Sequence, residues 1–279
     1  MLRCGHYSFD LSRPLVMGIV NVTPDSFSDG GRYDDATRSL AHARELAADG
    51  ADLIDIGGES TRPGAQPTTE ADELARVIPL AATLVREGVV VSVDTRKPAV
   101  MRAAIEAGAA MINDVGALAA PGALEVCAAS DVGVCLMHMK GEPATMQQDP
   151  AYTDVVAEVR VFLLDRARAC LDAGIAADRI VLDPGFGFGK TLAHNLALLR
   201  ALPELAGAGY AVMAGISRKG MLGQITGRSV DERLPASVAA AIAAVARGAA
   251  IVRVHDVRAT VDALKVWQAV AAPDAIASH

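Results

Sequence analysis

Val89-Val-Val-Ser-Val-Asp94-Thr-Arg-Lys-Pro-Ala-Val-Met-Arg-Ala-Ala-Ile-Glu-Ala-Gly108 holds one complete strand–helix unit. The β-branched run reads as a strand buried in a parallel sheet, and it stops on a carboxylate, Asp94. Pro98 falls in the first turn of a helix over 97–107, where its missing N–H is tolerated. Gly108 suits the position just past the helix end. The same unit recurs in both directions. Upstream, Leu15-Val-Met-Gly-Ile-Val ends at Asn21, and Leu53-Ile-Asp-Ile leads into Gly-Gly-Glu59-Ser-Thr61-Arg62. Downstream, Met111-Ile ends at Asn113-Asp114, Val134-Cys-Leu-Met at His138, and Ile180-Val-Leu at Asp183. Ala211-Val-Met-Ala-Gly-Ile ends at Ser217-Arg218-Lys219, and Ile251-Val carries Arg253 and His255. Helical patterns at 35–49, 70–86, 97–107, 121–129, 154–173, 192–203, 235–247 and 256–271 follow these strands. Strand–helix alternation implies a parallel sheet. An open sheet would gather ligand groups near one switch point. Here they stand at nearly every strand end, and only closure brings them together. The expected fold is therefore α/β, a (β/α)8 TIM barrel in a single domain over 1–279. Residues 1–14 form a lead-in strand across the bottom, and the site lies at the C-terminal ends of the strands.

The bulk numbers agree with one barrel. The chain has 279 residues, and such barrels typically need about 250. Hydrophobic residues make up 52%, and mean hydropathy is +0.29. Buried parallel strands and the inner faces of an outer helix ring absorb that excess. A net charge of −7 and only 4% aromatics give no global basic footprint and few bases' worth of stacking surface, so no nucleic-acid partner is expected. No apolar run approaches the roughly 20 residues of a membrane span, and the N-terminus lacks a signal-peptide layout. Cys4, Cys127, Cys135 and Cys170 are scattered without Cys-x-x-Cys pairing, which leaves zinc and redox motifs unsupported. A cytoplasmic location is expected.

Two loops, Thr23–Arg32 and Glu59–Pro67, are long and rich in Gly, Pro, Ser and Thr, as active-site lids are. An ordinary surface loop is the plain alternative. Arg253 and His255 alternate along the last strand, so both point to one face. At the mouth of a barrel near strands seven and eight, that is a frequent phosphate site. Gly185-Phe-Gly-Phe-Gly-Lys190-Thr191 nearly imitates a phosphate loop, but the required first glycine falls at Pro184 and the motif fails. His138 has no second ligand at metal spacing and reads as a supporting residue.

Met17-Gly-Ile-Val-Asn-Val-Thr-Pro-Asp-Ser-Phe-Ser-Asp-Gly-Gly31 and Asp55-Ile-Gly-Gly-Glu-Ser-Thr-Arg-Pro-Gly64 resemble the two signatures of dihydropteroate synthases. Ser92-Val-Asp-Thr95, Asn113-Asp114, Met137-His-Met139, Asp183–Lys190, Ser217-Arg-Lys219 and Arg253-Val-His255 follow in the family's order, so the resemblance spans about residues 15 to 257. It implies condensation of 6-hydroxymethyl-7,8-dihydropterin diphosphate with 4-aminobenzoate, giving 7,8-dihydropteroate and diphosphate. It also implies a homodimer built through outer helices. Arg96, Lys140 and Ala144 depart from the family pattern beside the matched positions.

The chemistry fits these residue types. Diphosphate leaves with heavy negative charge, and magnesium can bridge its oxygens as a Lewis acid. Magnesium keeps few protein ligands beside waters and phosphates, and Asn21 would supply one oxygen. Thr61, Arg62, Arg253 and His255 would hold the diphosphate, arginine offering bidentate phosphate recognition. A carboxylate can accept both donors of the pterin 2-amino–N3-H edge, and Asp183 matches that role. Asn113 and Lys219 would reach other ring atoms, and Asp94 would stabilise positive charge as the C–O bond breaks in an SN1-like path. Asp94, Lys219, Arg253 and His255 are thus the catalytic candidates. Asp55 either orients a neighbour or is a buried structural carboxylate. Phe27, Pro63, Phe188, Ser217 and Lys219 would form the aminobenzoate pocket, and Phe27, Pro63 and Ser217 are the positions where sulfonamide resistance is expected. A methyltetrahydrofolate-dependent methyltransferase would share the pterin-binding Asp and Asn without Asn21 or the Thr61-Arg62 pair. A non-catalytic pterin-binding paralogue is the alternative from a different class.

Overall fold

Each apolar run forms a strand, and each strand pairs in parallel with the next. The computed structural model describes residues 1–22, 32–59, 68–142 and 145–271, with the side chains of 32–35 left out. The barrel strands are β3 (Leu15–Asn21), β4 (Leu53–Gly57), β5 (Val91–Asp94), β6 (Met111–Asp114), β7 (Gly133–Met137), β8 (Ile180–Asp183), β9 (Ala211–Ala214) and β10 (Ile251–Val254). They follow chain order around a closed barrel, with β10 returning to β3. Register decides what meets at the mouth. Asn21 stands beside Gly57, Gly57 beside Asp94, and Asp94 beside Asn113. One level around the barrel therefore carries a row of polar strand ends.

The helices are α1 (Arg32–Ala48), α2 (Glu70–Arg86), α3 (Pro98–Glu106), α4 (Ala123–Ala128), α5 (Val155–Asp172), α6 (Leu192–Arg200), α7 (Leu202–Ala206), α8 (Gly220–Thr226), α9 (Leu234–Val245) and α10 (Val257–Ala271). Thr69 caps α2 by accepting the Asp72 backbone N–H at 3.1 Å, and Asp154 caps α5 through two backbone N–H groups. Buried aliphatic side chains such as Val77, Leu84, Val100, Leu163 and Ala244 fill the space between helices and strands. Among the described residues, no helix is long and apolar enough to cross a membrane.

Three details differ from the sequence expectation. The helix expected over 192–203 is two helices, because the chain breaks at Ala201 and Pro203 starts a new first turn. The short helix α8 follows Lys219 directly, a seven-residue element too short to show a periodic pattern. The lead-in is an antiparallel hairpin of β1 (Leu2–Cys4) and β2 (Tyr7–Phe9) rather than one strand. Leu2 and Cys4 pack against Leu15, Met17, Leu53, Met111, Cys135, Val181, Met213 and Ile251, a second apolar cluster that closes the barrel bottom.

Candidate active site

Alternation along the strands turns one set of polar side chains into the barrel, where water is scarce and every polar atom needs a partner. Asp55, in the middle of β4, is fully buried. It accepts Nδ2 of Asn113 at 3.0 Å and Nε of Arg253 at 2.6 Å. The same guanidinium donates through Nη2 to Asp94 at 3.0 Å. Asp55 thus orients two neighbours, while its second oxygen has no hydrogen-bond partner. Burial alone would lower the Arg253 pKa, but Asp55 and Asp94 outweigh it and hold the group firmly charged. Burial raises the Asp94 carboxyl to about 7, against the opposing pull of Arg253.

The opposite wall comes from β8 and β9. Asp183 is buried and accepts the Gly185 backbone N–H at 2.7 Å. Burial raises its pKa, opposed chiefly by Lys219. The Lys219 ammonium donates to the Phe186 carbonyl at 2.5 Å and stands 4.6 Å from the centre of the Phe188 ring. Burial lowers it to about 8. Glycines leave the floor between these walls open. A Cβ at Gly215 would sit 3.8 Å from Lys219 Nζ and from Arg253 Cβ, and 4.0 Å from Asp183 Oδ2. At Gly57 it would sit 3.8 Å from Asn21 Oδ1 and from Asp94 Oδ2.

Asp94, Asn113, Asp183, Lys219 and Arg253 therefore converge on one mouth, as the strand-end pattern predicts. Ser217 and His255 form a neighbouring pair. Ser217 Oγ accepts the His255 backbone N–H at 3.2 Å and lies 3.1 Å from Nδ1 of that ring. Burial and the Arg253 charge push His255 down to about 4, so it is a neutral donor or acceptor at pH 7. Asn21 ends β3 with its side-chain oxygen near Asp94. Thr61, Arg62, Phe27 and Pro63 lie outside the described residues, as do Ala144 and nearly all of the two expected lid segments.

Sequence reasoning missed three features. Lys97 links Glu59 at 2.5 Å with Glu73, and Arg96 reaches Glu59 at 3.5 Å and Glu142 at 3.2 Å. A signal existed: Glu73 shares its helical face with Val77, Leu80 and Leu84, and is as buried as they are. Arg218 pairs with Asp256 at 2.6 Å, tying the ends of neighbouring strands. Lys190 is 3% exposed inside the loop after β8. His138, expected as a supporting residue, has its Nδ1 3.0 Å from Lys190 Nζ, and its ring packs edge-on against Phe162. Burial and Lys190 lower it to about 3. Lys140 is half-exposed, paired with Glu158 at 3.2 Å and lying over the Tyr152 ring.

Residues 17–255 match the family model described as "Pterin binding enzyme". The dihydropteroate synthase of Neisseria meningitidis serogroup B is 54% identical over 274 residues, covering 96% of each chain. The Xanthomonas albilineans dihydropteroate synthase solved with 4-aminobenzoic acid superposes with a TM-score of 0.90 at 55% identity, covering 95% of each chain. The Burkholderia cenocepacia dihydropteroate synthase complexed with 7,8-dihydropteroate gives a TM-score of 0.89 at 54% identity, over 98% of this chain and 97% of that one. An all-parallel closed barrel with a mouth of opposed carboxylates and cations, matched over nearly its whole length by these enzymes, places the chain in the dihydropteroate synthase family of pterin-binding enzymes.

Proposed function

We propose that this protein joins 6-hydroxymethyl-7,8-dihydropterin diphosphate to 4-aminobenzoate, releasing diphosphate and forming 7,8-dihydropteroate. The observation that carries this reading is the convergence of Asp183, Asn113, Lys219, Asp94 and Arg253 on one glycine-floored mouth. Asp183 accepts the paired donors of the pterin edge, and Asn113, held by Asp55, meets a ring nitrogen. Lys219 reaches the ring from the other side. The bond from the pterin methylene to oxygen breaks first, and its electron pair leaves with the diphosphate. Positive charge spreads over the methylene and the ring, and the fixed Asp94 carboxylate stabilises it. Preorganised charge acts most strongly in such a water-poor site. The aniline nitrogen then donates its lone pair to carbon and loses a proton to water. That amine is already neutral at pH 7, so no strong general base is required.

The leaving diphosphate meets Arg253 and His255, with Thr61 and Arg62 from the loop after β4. Magnesium fits the residues present. Asn21 offers one neutral oxygen at the mouth, and its side chain makes no hydrogen bond to another described residue. Among the described residues, no cluster of three or more His, Cys, Asp or Glu has metal-binding geometry. A metal that takes most of its ligands from phosphate and water suits that single donor. Bound there, it would supply Lewis-acid stabilisation to the leaving group. Phe188, Ser217 and Lys219, with Phe27 and Pro63, form the aminobenzoate pocket and the site of sulfonamide competition. The protein works as a cytoplasmic homodimer. Exposed Ile225, Val230 and Leu234 near α8 and α9, and Val266 and Val270 on α10, support a subunit contact through these outer elements. The four buried, unpaired cysteines suit a reducing compartment.

The test is diphosphate release by purified protein. Release that needs both 4-aminobenzoate and magnesium, and collapses in Arg253→Ala, is expected. Pterin diphosphate binding without any release would refute the synthase reading in favour of a non-catalytic pterin binder.

A further inference from the structure

The segment Pro184–Gly189 connects Asp183 to Phe188, and its backbone is held to an unusual degree by side chains. The Lys190 ammonium donates to the carbonyls of Gly185 at 2.9 Å, Phe188 at 2.9 Å and His138 at 3.2 Å. Nδ1 of His138 lies 3.0 Å away on the same nitrogen. An ammonium has three N–H donors, and all are used within the protein. Neighbours secure what remains. Tyr152 donates to the Gly189 carbonyl at 2.9 Å, Gln147 to that of Gly187, and Lys219 to that of Phe186 at 2.5 Å. Asn195 accepts the Gly187 N–H at 2.7 Å. Every carbonyl from Gly185 to Gly189 thus meets a side-chain donor.

The segment lies against the chain leaving β7 with no slack. Gly185 and Gly189 have φ of +68° and +60°, and a Cβ on either would strike the carbonyl of His138 or of Lys140. A buried ammonium is costly unless its hydrogen bonds are met, so a lysine in this position demands the backbone geometry that meets them. Proposed aminobenzoate and pterin roles fall on the two ends of this segment, at Phe188 and Asp183. The Phe188 carbonyl is bonded to Lys190 directly. Asp183 is reached only through Gly185, and it also has the strand to hold it.

We propose that Lys190 is a positioning residue for the aminobenzoate pocket: its ammonium fixes the Gly185–Gly189 backbone and thereby the Phe188 ring, without touching either substrate. The inference rests on the synthase reading of the site. It places a specificity determinant one layer beneath the pocket, in a residue that only resembled part of a phosphate loop.

Lys190→Met keeps an unbranched side chain up to the Cε position and removes its donors. Steady-state kinetics on this variant should show the KM for 4-aminobenzoate raised about tenfold, with the Kd for pterin diphosphate changed less than about threefold. Lys190→Arg, which restores charge and donors, should recover part of the lost aminobenzoate affinity. Proportional loss of both substrates and of kcat, tracking the folded fraction, would mean a merely structural lysine. An aminobenzoate KM within twofold of wild type would overturn the proposal outright. Hydrogen exchange on the wild-type protein covers the case in which neither variant folds. The amides of Gly185, Gly187 and Phe188 should be protected before any substrate is added, and protection acquired only with aminobenzoate would refute the positioning role of Lys190. Wild-type protein that binds neither substrate would sink the synthase reading and this inference together, whereas active wild type with an unaltered Lys190→Met sinks the inference alone.

Discussion

Asp94→Asn should make the protein more stable and much less active, with a gain that depends on pH. In the folded protein burial holds the Asp94 carboxyl near 7, well above its ordinary value of 3.8. A carboxyl with a raised folded-state pKa binds its proton more tightly folded than unfolded, so stability falls as pH rises through that interval. Below about pH 4 the carboxyl is protonated in both states and costs nothing; above pH 7 it is ionised in both and the full cost applies. Three pH units at 1.36 kcal/mol each set a ceiling of about 4 kcal/mol. The side chain keeps 18% exposure, and water at the mouth screens part of the penalty, so about 2 kcal/mol is the expected share. Asparagine still offers an oxygen to Arg253, and Asp55 still neutralises that guanidinium at 2.6 Å.

Thermal unfolding of both proteins at pH 4.5 and pH 8 measures this directly. At about 2 °C per kcal/mol for a chain of this size, the variant should melt about 4 °C higher at pH 8 and nearly level with wild type at pH 4.5. The same substitution should cut kcat by about 10²- to 10³-fold, the usual loss for one preorganised electrostatic group. A variant less stable than wild type at pH 8, or a shift identical at both pH values, would show that Asp94 is a net structural asset. The stated electrostatics would then be wrong.

Other expectations follow from neighbouring geometry. kcat/KM should rise with pH through about 7 as Asp94 ionises and fall above about 8 as Lys219 loses its proton, a narrow bell whose limbs belong to the linked set of charges; a flat profile from pH 6 to 9 would contradict it. Asp55→Ala removes the buried partner of Arg253 and Asn113, and urea unfolding should show a loss of about 3 kcal/mol alongside a collapse of activity. Gly185→Ala, forced into φ +68° against the His138 carbonyl, should abolish soluble expression or lower the melting temperature by about 4 °C or more, at least about 2 kcal/mol of strain and clash. Leu2→Ala, in the hairpin under the barrel, should cost about 2–3 kcal/mol in unfolding assays while leaving the KM values of the folded protein unchanged.

What was legible in the sequence follows from how far apart the interacting residues lie. Strand ends could be read because apolar run and polar terminus are adjacent in the chain, and closure then forces Asp94, Asn113, Asp183 and Arg253 together. The barrel bottom is half legible: a lead-in is evident, but a single Gly5 between two three-residue strands is too short a signal to mark the hairpin. Helix α8 escaped because seven residues carry no period. The ionic links showed only one partner, Glu73 on an apolar helical face. Lys97 meets Glu73 across two elements, and nothing local distinguishes that lysine from a solvated one. Lys190 was masked by a failed motif, since its partners are carbonyls, which every residue has. Pairings between side chain and backbone leave no compositional trace, and ion pairs between distant elements leave none that is local.

The same reasoning explains why the mouth holds costly charges that the rest of the barrel avoids. Below the row Asn21–Gly57–Asp94–Asn113 the buried polar residues Asp55 and Ser92 come first, and beneath them the barrel is sealed by Leu2, Leu15, Met17 and Met213. Asp55 sits one step deeper than Asp94 and leaves one oxygen unpartnered. Its Oδ2 holds Arg253 and Asn113 at once, so one buried charge fixes a group proposed for the diphosphate and a group proposed for the pterin. That arrangement turns the two halves of a single substrate into one rigid target. A leaving group and an electron-rich ring are then held in fixed relation before the bond between them breaks, where orientation has the most leverage on rate.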